Sequence, residues 1–549
     1  MANFQNLFTY IKNLLKRELV ILWIFSLLAG LALVLLADKN KLPLGVGDFV
    51  FFAILTLLIA LYRPRWIFFL FVSFVPLENI ILTGGFLPIQ LRPYQFLGGI
   101  LLVAVLILYF VKKLKFKIRR PNWVDWFLFS LVPLSFLASL NSPYKNISLK
   151  NSLILLSFIA LYYLARNFVR ARTDLMKTVF FFGVSYLIVV GYGFYQVLAD
   201  KFGKNSFEIM FGRTNSTFTE PDWLGIFLCF SLAVFLTLIF YFIRARSDLS
   251  ISKKYILWFL DFLVFLDVTL IILTLSRSAW VGATAILVLY LLLILAGSRK
   301  DAARIIHSID FRSFFREMLI LALIVFLSLA AIRIGGLSKF DIFDRARSAA
   351  TSEQKITVAC EPNSQAPQFI ADTSDLSKYN CRFINLEEID FYRSQGKVVS
   401  QIFRRDPNVK TRNQIYRESF EIIRQNPLWG VGFGTITQKL GTDERGAGFN
   451  ESNIFLQAWA GSGILGLLAF SIAMIYLFIY SLRRLSPLCL LNKIIGHPII
   501  KGDFEKTINV FIFLEILAFM IPNLFNAGLF MGIFWLGLGI IVSAKSINS

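Results

Sequence analysis

Apolar residues in this chain come in blocks of about twenty, and that spacing decides what the chain is able to fold into. A helix rises about 1.5 Å per residue, so a block of this length crosses a hydrocarbon core of about 30 Å. The blocks lie near 19–37, 45–62, 66–83, 93–111, 123–140, 148–165, 178–198, 223–243, 256–275, 280–297, 317–334, 453–481, 508–525 and 527–544. Hydrophobic residues make up 57% of the 549, above the roughly half found in soluble domains. The sequence therefore predicts an all-α polytopic membrane protein with about 12–14 transmembrane helices and a large, partly helical external loop between the late ones. Its parts are N-terminal helices over 1–200, further helices over 201–334, the external loop over 335–452 and C-terminal helices over 453–549. Met1 to Glu18 is polar and basic, and the first block ends in Asp38-Lys39 without a small-x-small site, which predicts an uncleaved first span.

Lys and Arg remain on the cytoplasmic side of short loops. One alternating set of loops carries Arg63 and Arg65, then Lys112, Lys113, Lys115, Lys117, Arg119 and Arg120, then Arg166, Arg170, Arg172 and Lys177. It continues through Arg244, Arg246, Lys253 and Lys254, through Arg299, Lys300, Arg304, Arg312 and Arg316, and ends with Arg483, Arg484, Lys493 and Lys501. The other set, such as 141–147 and 276–279, is short and weakly charged. The expectation is a bacterial inner-membrane protein with both termini cytoplasmic and any chemistry outside. Topology and anionic lipid headgroups account for the net charge of +22, so no nucleic-acid partner is expected.

Cys229 lies in a span and Cys489 on the cytoplasmic side. Cys360 and Cys381 share the external loop, where a disulfide is permitted; two free thiols are the alternative. The sequence has no P-loop, no GxGxxG after a strand, no HExxH and no zinc-type spacing. Its two histidines, His307 and His497, fall in cytoplasmic loops, so neither a metal site nor a cofactor is expected on the outer face.

Four polar stretches face outward instead. Arg277 interrupts two spans at Leu275-Ser276-Arg277-Ser278-Ala279. It reads as a lipid-phosphate anchor or as part of an anion site to which Ser276 and Ser278 add hydroxyls, because a guanidinium makes paired bonds to phosphate. In the 412–427 stretch, Tyr416, Phe420 and Ile423 recur at helical spacing, and Arg412 sits one turn earlier on the same face. The glycines of Leu428-Trp429-Gly430-Val431-Gly432-Phe433-Gly434 follow, and tight packing explains them better than phosphate binding. Phe449-Asn450-Glu451-Ser452-Asn453 opens a span; such residues cap helices, and Glu451 is also a carboxylate able to accept a hydroxyl proton. Gly212 to Trp223 carries Arg213, Glu220 and Asp222, which suit a solvated loop leading to a helix with Pro at its start as well as they suit a site.

In this order, the stretches 212–223, 276–279, 412–416, 427–434 and 451–466 resemble the motifs of the O-antigen ligase and O-antigen polymerase superfamily of bacterial membrane glycosyltransferases. The resemblance implies transfer of a glycan from an undecaprenyl-diphosphate carrier to an acceptor glycan or lipid, without metal or nucleotide sugar. It implies that Arg277 and Arg412 hold the leaving diphosphate, with Arg213, Ser276, Ser278, Tyr416, Glu220 and Asn453 lining the substrate. Ligases of the superfamily carry a His at the position of Ser452 here, which leaves Glu451 as the expected base and Glu220 as the second candidate. Tyr416 stands where Trp is usual. The Glu-Ser variant favours a surface-polysaccharide polymerase, with a chain-length regulator as a further partner; a ligase for another acceptor, or a transporter of lipid-linked oligosaccharide, are the alternatives.

Overall fold

A computed structural model describes the chain except for residues 1–16, 87–89, 205–211, 245–250, 297–310, 339–341, 352, 385–387, 406, 442–447, 486–502 and 549. Cys489, His307 and His497 lie outside the described residues, as do Arg246, Arg299, Lys300, Arg304, Lys493 and Lys501. Of the described residues, 74% are helical. Among the described residues, ten helices are long and apolar enough to cross a membrane. They include α1 (Arg17–Asp38), α4 (Pro93–Phe110), α5 (Trp123–Leu140), α6 (Lys145–Phe168), α7 (Arg172–Lys201) and α8 (Pro221–Arg244). The others are α9 (Ile251–Leu273), α10 (Arg277–Ala296), α11 (Phe311–Gly335) and α16 (Ile454–Leu485).

The remaining four blocks form helices of other kinds. α2 (Val46–Tyr62), α3 (Pro64–Phe74) and α18 (Gly532–Asn548) are apolar but shorter, and α17 (Asp503–Asn523) has the length but carries Glu505, Lys506 and Glu515. α3 ends at Phe74, where the chain turns and Leu77 N donates to Phe74 O at 3.0 Å. The 66–83 block is therefore a short helix followed by buried loop, rather than one span.

Two compact units make up the chain: Met1–Leu337 with Ile422–Ser549, and Ser338–Glu421. In the first, α8 is the most enclosed of these ten helices, with α9, α10 and α17 packed around it. Phe25, Leu28, Phe51, Leu58 and Phe326 are exposed, a surface that water would penalise and acyl chains suit. The molecule is a multi-pass membrane protein.

The second unit contains β1 (Glu353–Cys360), β2 (Phe369–Ile370), β3 (Cys381–Phe383) and β4 (Val398–Arg405), in the order β2-β4-β1-β3. β1 runs antiparallel to β3 and β4, and β2 runs parallel to β4. Ile356, Val358 and Cys360 alternate on one face of β1 and bury against Ile370, Leu376 and Ile402. Cys360 and Cys381 face each other across the β1–β3 register and form a disulfide. Helices α12 (Ile342–Thr351), α13 (Ile389–Ser394) and the start of α14 (Pro407–Arg424) complete the unit. The 335–452 segment, expected to be partly helical, thus contains a small sheet as well.

Candidate functional site

The Ser276-Arg277-Ser278 turn is held from two sides. Arg213 donates from Nε to the Thr274 carbonyl at 3.0 Å, and its Nη2 lies 3.4 Å from Asp222 in the first turn of α8. Gly225 of α8 lies so close that a Cβ there would meet the Ala279 Cβ at 2.5 Å. This brings α8 against the start of α10. The Ser276 and Ser278 hydroxyls are 3.1 Å apart, both are buried, and Arg277 is the half-buried first residue of α10. A cation at a helix N-terminus opposes the positive end of the macrodipole, whereas an anion beside it relieves both charges.

The second strand of the site opens α16. Asn453 is the cap: its Oδ1 accepts from Phe455 N at 2.9 Å and Leu456 N at 3.1 Å. Asn450 Oδ1 takes the Ser452 N–H at 2.9 Å. Glu451 is only 3% exposed and makes no ion pair among the described residues. Burial pushes its carboxyl up to about 7, with its own backbone N–H pulling slightly the other way. Capping thus falls to Asn453, and Glu451 is left as a buried carboxylic acid that titrates near neutrality.

What joins these pieces is the connection between α17 and α18, which the sequence did not single out. Asn526 donates to Ser278 Oγ at 3.0 Å. Two residues earlier, the Leu524 carbonyl accepts from Asn453 Nδ2 at 2.9 Å. Leu529 N donates to Gln457 Oε1 of α16 at 3.0 Å, and Gly532 N to Glu78 Oε1 at 2.7 Å. Glu78 is also bound by Arg92 and by the Tyr94 hydroxyl. The 76–79 loop meets the first motif in turn: Thr217 Oγ1 donates to Pro76 O at 2.7 Å, and Asn79 N to Thr217 O at 2.9 Å. The loops at this end of the helical unit therefore form one hydrogen-bonded layer containing Arg213, Ser276, Ser278, Asn453 and Asn526.

Strain collects in the same layer. Among the described residues six non-glycine residues have positive φ, and Ser216 (+48°), Leu275 (+54°) and Ser452 (+48°) each sit inside one of the three motifs. A left-handed residue that is not glycine costs on the order of 1–3 kcal/mol, and such costs persist where function requires the geometry.

Glu220 contributes its carbonyl to Trp223 N and Leu224 N, starting α8. The glycine-rich turn is a packing device, as its sequence suggested. Gly430, Gly432 and Gly434 have φ of +83°, +85° and +83°, and a Cβ on Gly430 would lie 2.6 Å from Gly463 N. In the second unit, Arg412 and Tyr416 are half-buried on α14. The buried positions of that helix are Ile415, Ser419, Ile422 and Ile423, while Phe420 is 49% exposed. Its inward face is rotated by about one residue from the expected Tyr416–Phe420–Ile423 stripe, which drew only on apolar side chains and so passed over Ser419. Among the described residues no group of three His, Cys, Asp or Glu side chains is placed to hold a metal ion.

No curated protein matches the chain. The family model described as O-antigen ligase matches residues 262–471, from within α9 to within α16. Arg277, Glu451 and Asn453 fall inside that match; the 212–223 stretch and Asn526 fall outside it. The match over 262–471 supports the resemblance to the O-antigen ligase and polymerase superfamily.

Proposed function

We propose that the protein is a surface-polysaccharide polymerase. It moves a glycan from an undecaprenyl-diphosphate carrier to an acceptor sugar at the outer face of the inner membrane, without metal. The observation that supports this most is Glu451, a buried carboxyl titrating near 7 in the segment that leads into α16, whose cap Asn453 shares the 524–526 connection with Ser278 beside Arg277. As carboxylate it accepts the proton of the acceptor hydroxyl. The freed oxygen attacks the anomeric carbon, the carbon–oxygen bond to the carrier breaks, and the diphosphate departs with the electron pair. Arg277, with the Ser276 and Ser278 hydroxyls, takes up the charge that develops on the leaving phosphate, an effect of several kcal/mol in a water-poor site. Arg412 has the same role by resemblance. Arg213 acts through the turn it holds, and is a positioning residue.

Polymerase is preferred to ligase because Ser452 stands where ligases of the superfamily carry His. A regulator of chain length is a fitting partner for such an activity. The test is reconstitution of the purified chain with an undecaprenyl-diphosphate-linked oligosaccharide as the sole glycan. A ladder of lengthening products is expected. A single transfer to an added acceptor would make the protein a ligase. Passage of unaltered lipid-linked glycan across the bilayer, with no new glycosidic bond, would make it a transporter.

A further inference from the structure

At the opposite end of the helical unit, the segments 63–65, 113–117 and 170–177, rich in Lys and Arg, meet. Arg65 pairs with Asp174 at 3.9 Å, and Arg170 donates to the Lys117 carbonyl. Between them lies a cavity of about 420 Å³, within the size range of small-molecule sites. Five cations line it: Arg63, Arg65, Lys113, Lys115 and Lys177. No carboxylate does so among the described residues. Its other wall is apolar, from Leu61, Phe69 and Leu108 at the ends of the neighbouring helices.

The cations stand on constrained backbone. Arg63 separates α2 from α3, with its guanidinium 5.2 Å from the Tyr62 ring and 5.6 Å from the Trp66 ring. Lys112 adopts φ +56°, and Lys113 N donates to Leu108 O at 2.8 Å, which turns the chain sharply at the end of α4. Phe116 then fixes the returning segment edge-on against Phe168 at 5.3 Å. Aromatic rings beside cations at the end of apolar helices mark the headgroup level of a bilayer.

We propose that this cavity is a binding site for an anionic glycerophospholipid with two phosphates in its headgroup, a cardiolipin. Four cations besides Arg65, which Asp174 already pairs, and no lining carboxylate call for more than one phosphate, and Leu61, Phe69 and Leu108 offer an acyl chain a path that a free anion has no use for. The site lies apart from the layer around Arg277 and does not depend on the reaction assigned to that layer.

Native mass spectrometry of the purified full chain tests this, with cardiolipin, undecaprenyl diphosphate and inorganic diphosphate as separate probes. Cardiolipin is expected to stay bound in preference to the other two. Each cation near a membrane surface contributes about fivefold in affinity, so K113Q/K115Q is expected to weaken cardiolipin about 30-fold. K39Q/K41Q, at the other end of the unit, is expected to leave it unchanged. Should K113Q/K115Q fail to insert, K177Q alone is expected to weaken the lipid about fivefold. Equal cardiolipin affinity in the wild type and the inserted variant would overturn the proposal. So would preferential retention of undecaprenyl diphosphate, or binding of inorganic diphosphate as tight as that of the lipid.

Discussion

The 76–94 and 449–457 regions lie in the same hydrogen-bonded layer, and each buries a glutamate. Glu78 is surrounded by donors: Arg92, the Tyr94 hydroxyl and the Gly532 N–H. Burial raises its pKa while Arg92, Gly532 and Tyr94 each pull it back. Glu451 has burial alone against a single backbone N–H, and is pushed up to about 7. One carboxylate is fully engaged in joining three loops. The other has no such duty, and its isolation gives it the proton affinity that a base requires. Burial alone therefore does not separate a structural acid from a reactive one; the set of donors around it does.

The largest effect expected is on Glu451. Glu451→Gln keeps the shape and removes the base, so turnover is expected to fall about 10²–10⁴-fold in the reconstituted assay while the protein still inserts. The same change acts oppositely on stability. A folded-state pKa above the ordinary 4.5 means that charging Glu451 costs stability, from pH 4.5 up to about 7, beyond which the cost is constant. Glu451→Gln is therefore expected to melt higher than wild type at pH 8, by up to about 3 kcal/mol, and to converge with it at low pH. Wild-type activity, itself needing the carboxylate, should decline as pH falls through about 7. Normal turnover in the variant would pass the role to Glu220.

Glu78→Gln should do the reverse, lowering stability by about 1–3 kcal/mol because the half-buried Arg92 loses its counter-charge. Detergent melting measures this; an unchanged midpoint with lost activity would place Glu78 in the reaction and erase the contrast drawn above. Arg277→Lys preserves charge but not the fork, and about 10–100-fold slower turnover is expected with unchanged insertion, the same being expected for Arg412→Lys. Near-normal rates would make either residue a lipid anchor. The smallest effect belongs to Asn526→Ala, which removes one hydrogen bond to Ser278, worth about 1 kcal/mol or roughly fivefold in rate. A loss as large as that of Arg277→Lys would show that Asn526 touches substrate.

The helices were readable because a span announces itself over twenty residues. The small sheet was not, since only β1 shows an alternating pattern, and β2 and β3 are two and three residues long. In the site, motif residues could be named from sequence because each motif is local. Glu78, Arg92, Gln457 and Asn526 have partners up to 454 positions away, and nothing in their immediate neighbours points to those partners. Asn523 and Asn526, polar side chains in the otherwise apolar stretch of 516–542, were an available signal. The face of α14 was misplaced for a related reason: a buried serine was not counted as inward.

α16 is broken at Gly463, where φ is +68° and ψ is −176°. The backbone groups freed there are taken by the preceding chain: Ala460 O accepts from Val431 N and Gly432 N, and Ile464 N donates to Pro427 O. In hydrocarbon such groups are expensive unless partnered, so the break exists only once the 427–434 turn has arrived. A nascent α16 is therefore expected to stay straight until that turn docks, so that the bend forms as a late maturation step. A side chain at Gly463 would sit 2.2 Å from Leu428 O and block that step. Gly463→Ala should accumulate in the membrane at normal levels, yet be cut by protease near 427–434 long after wild type has become resistant.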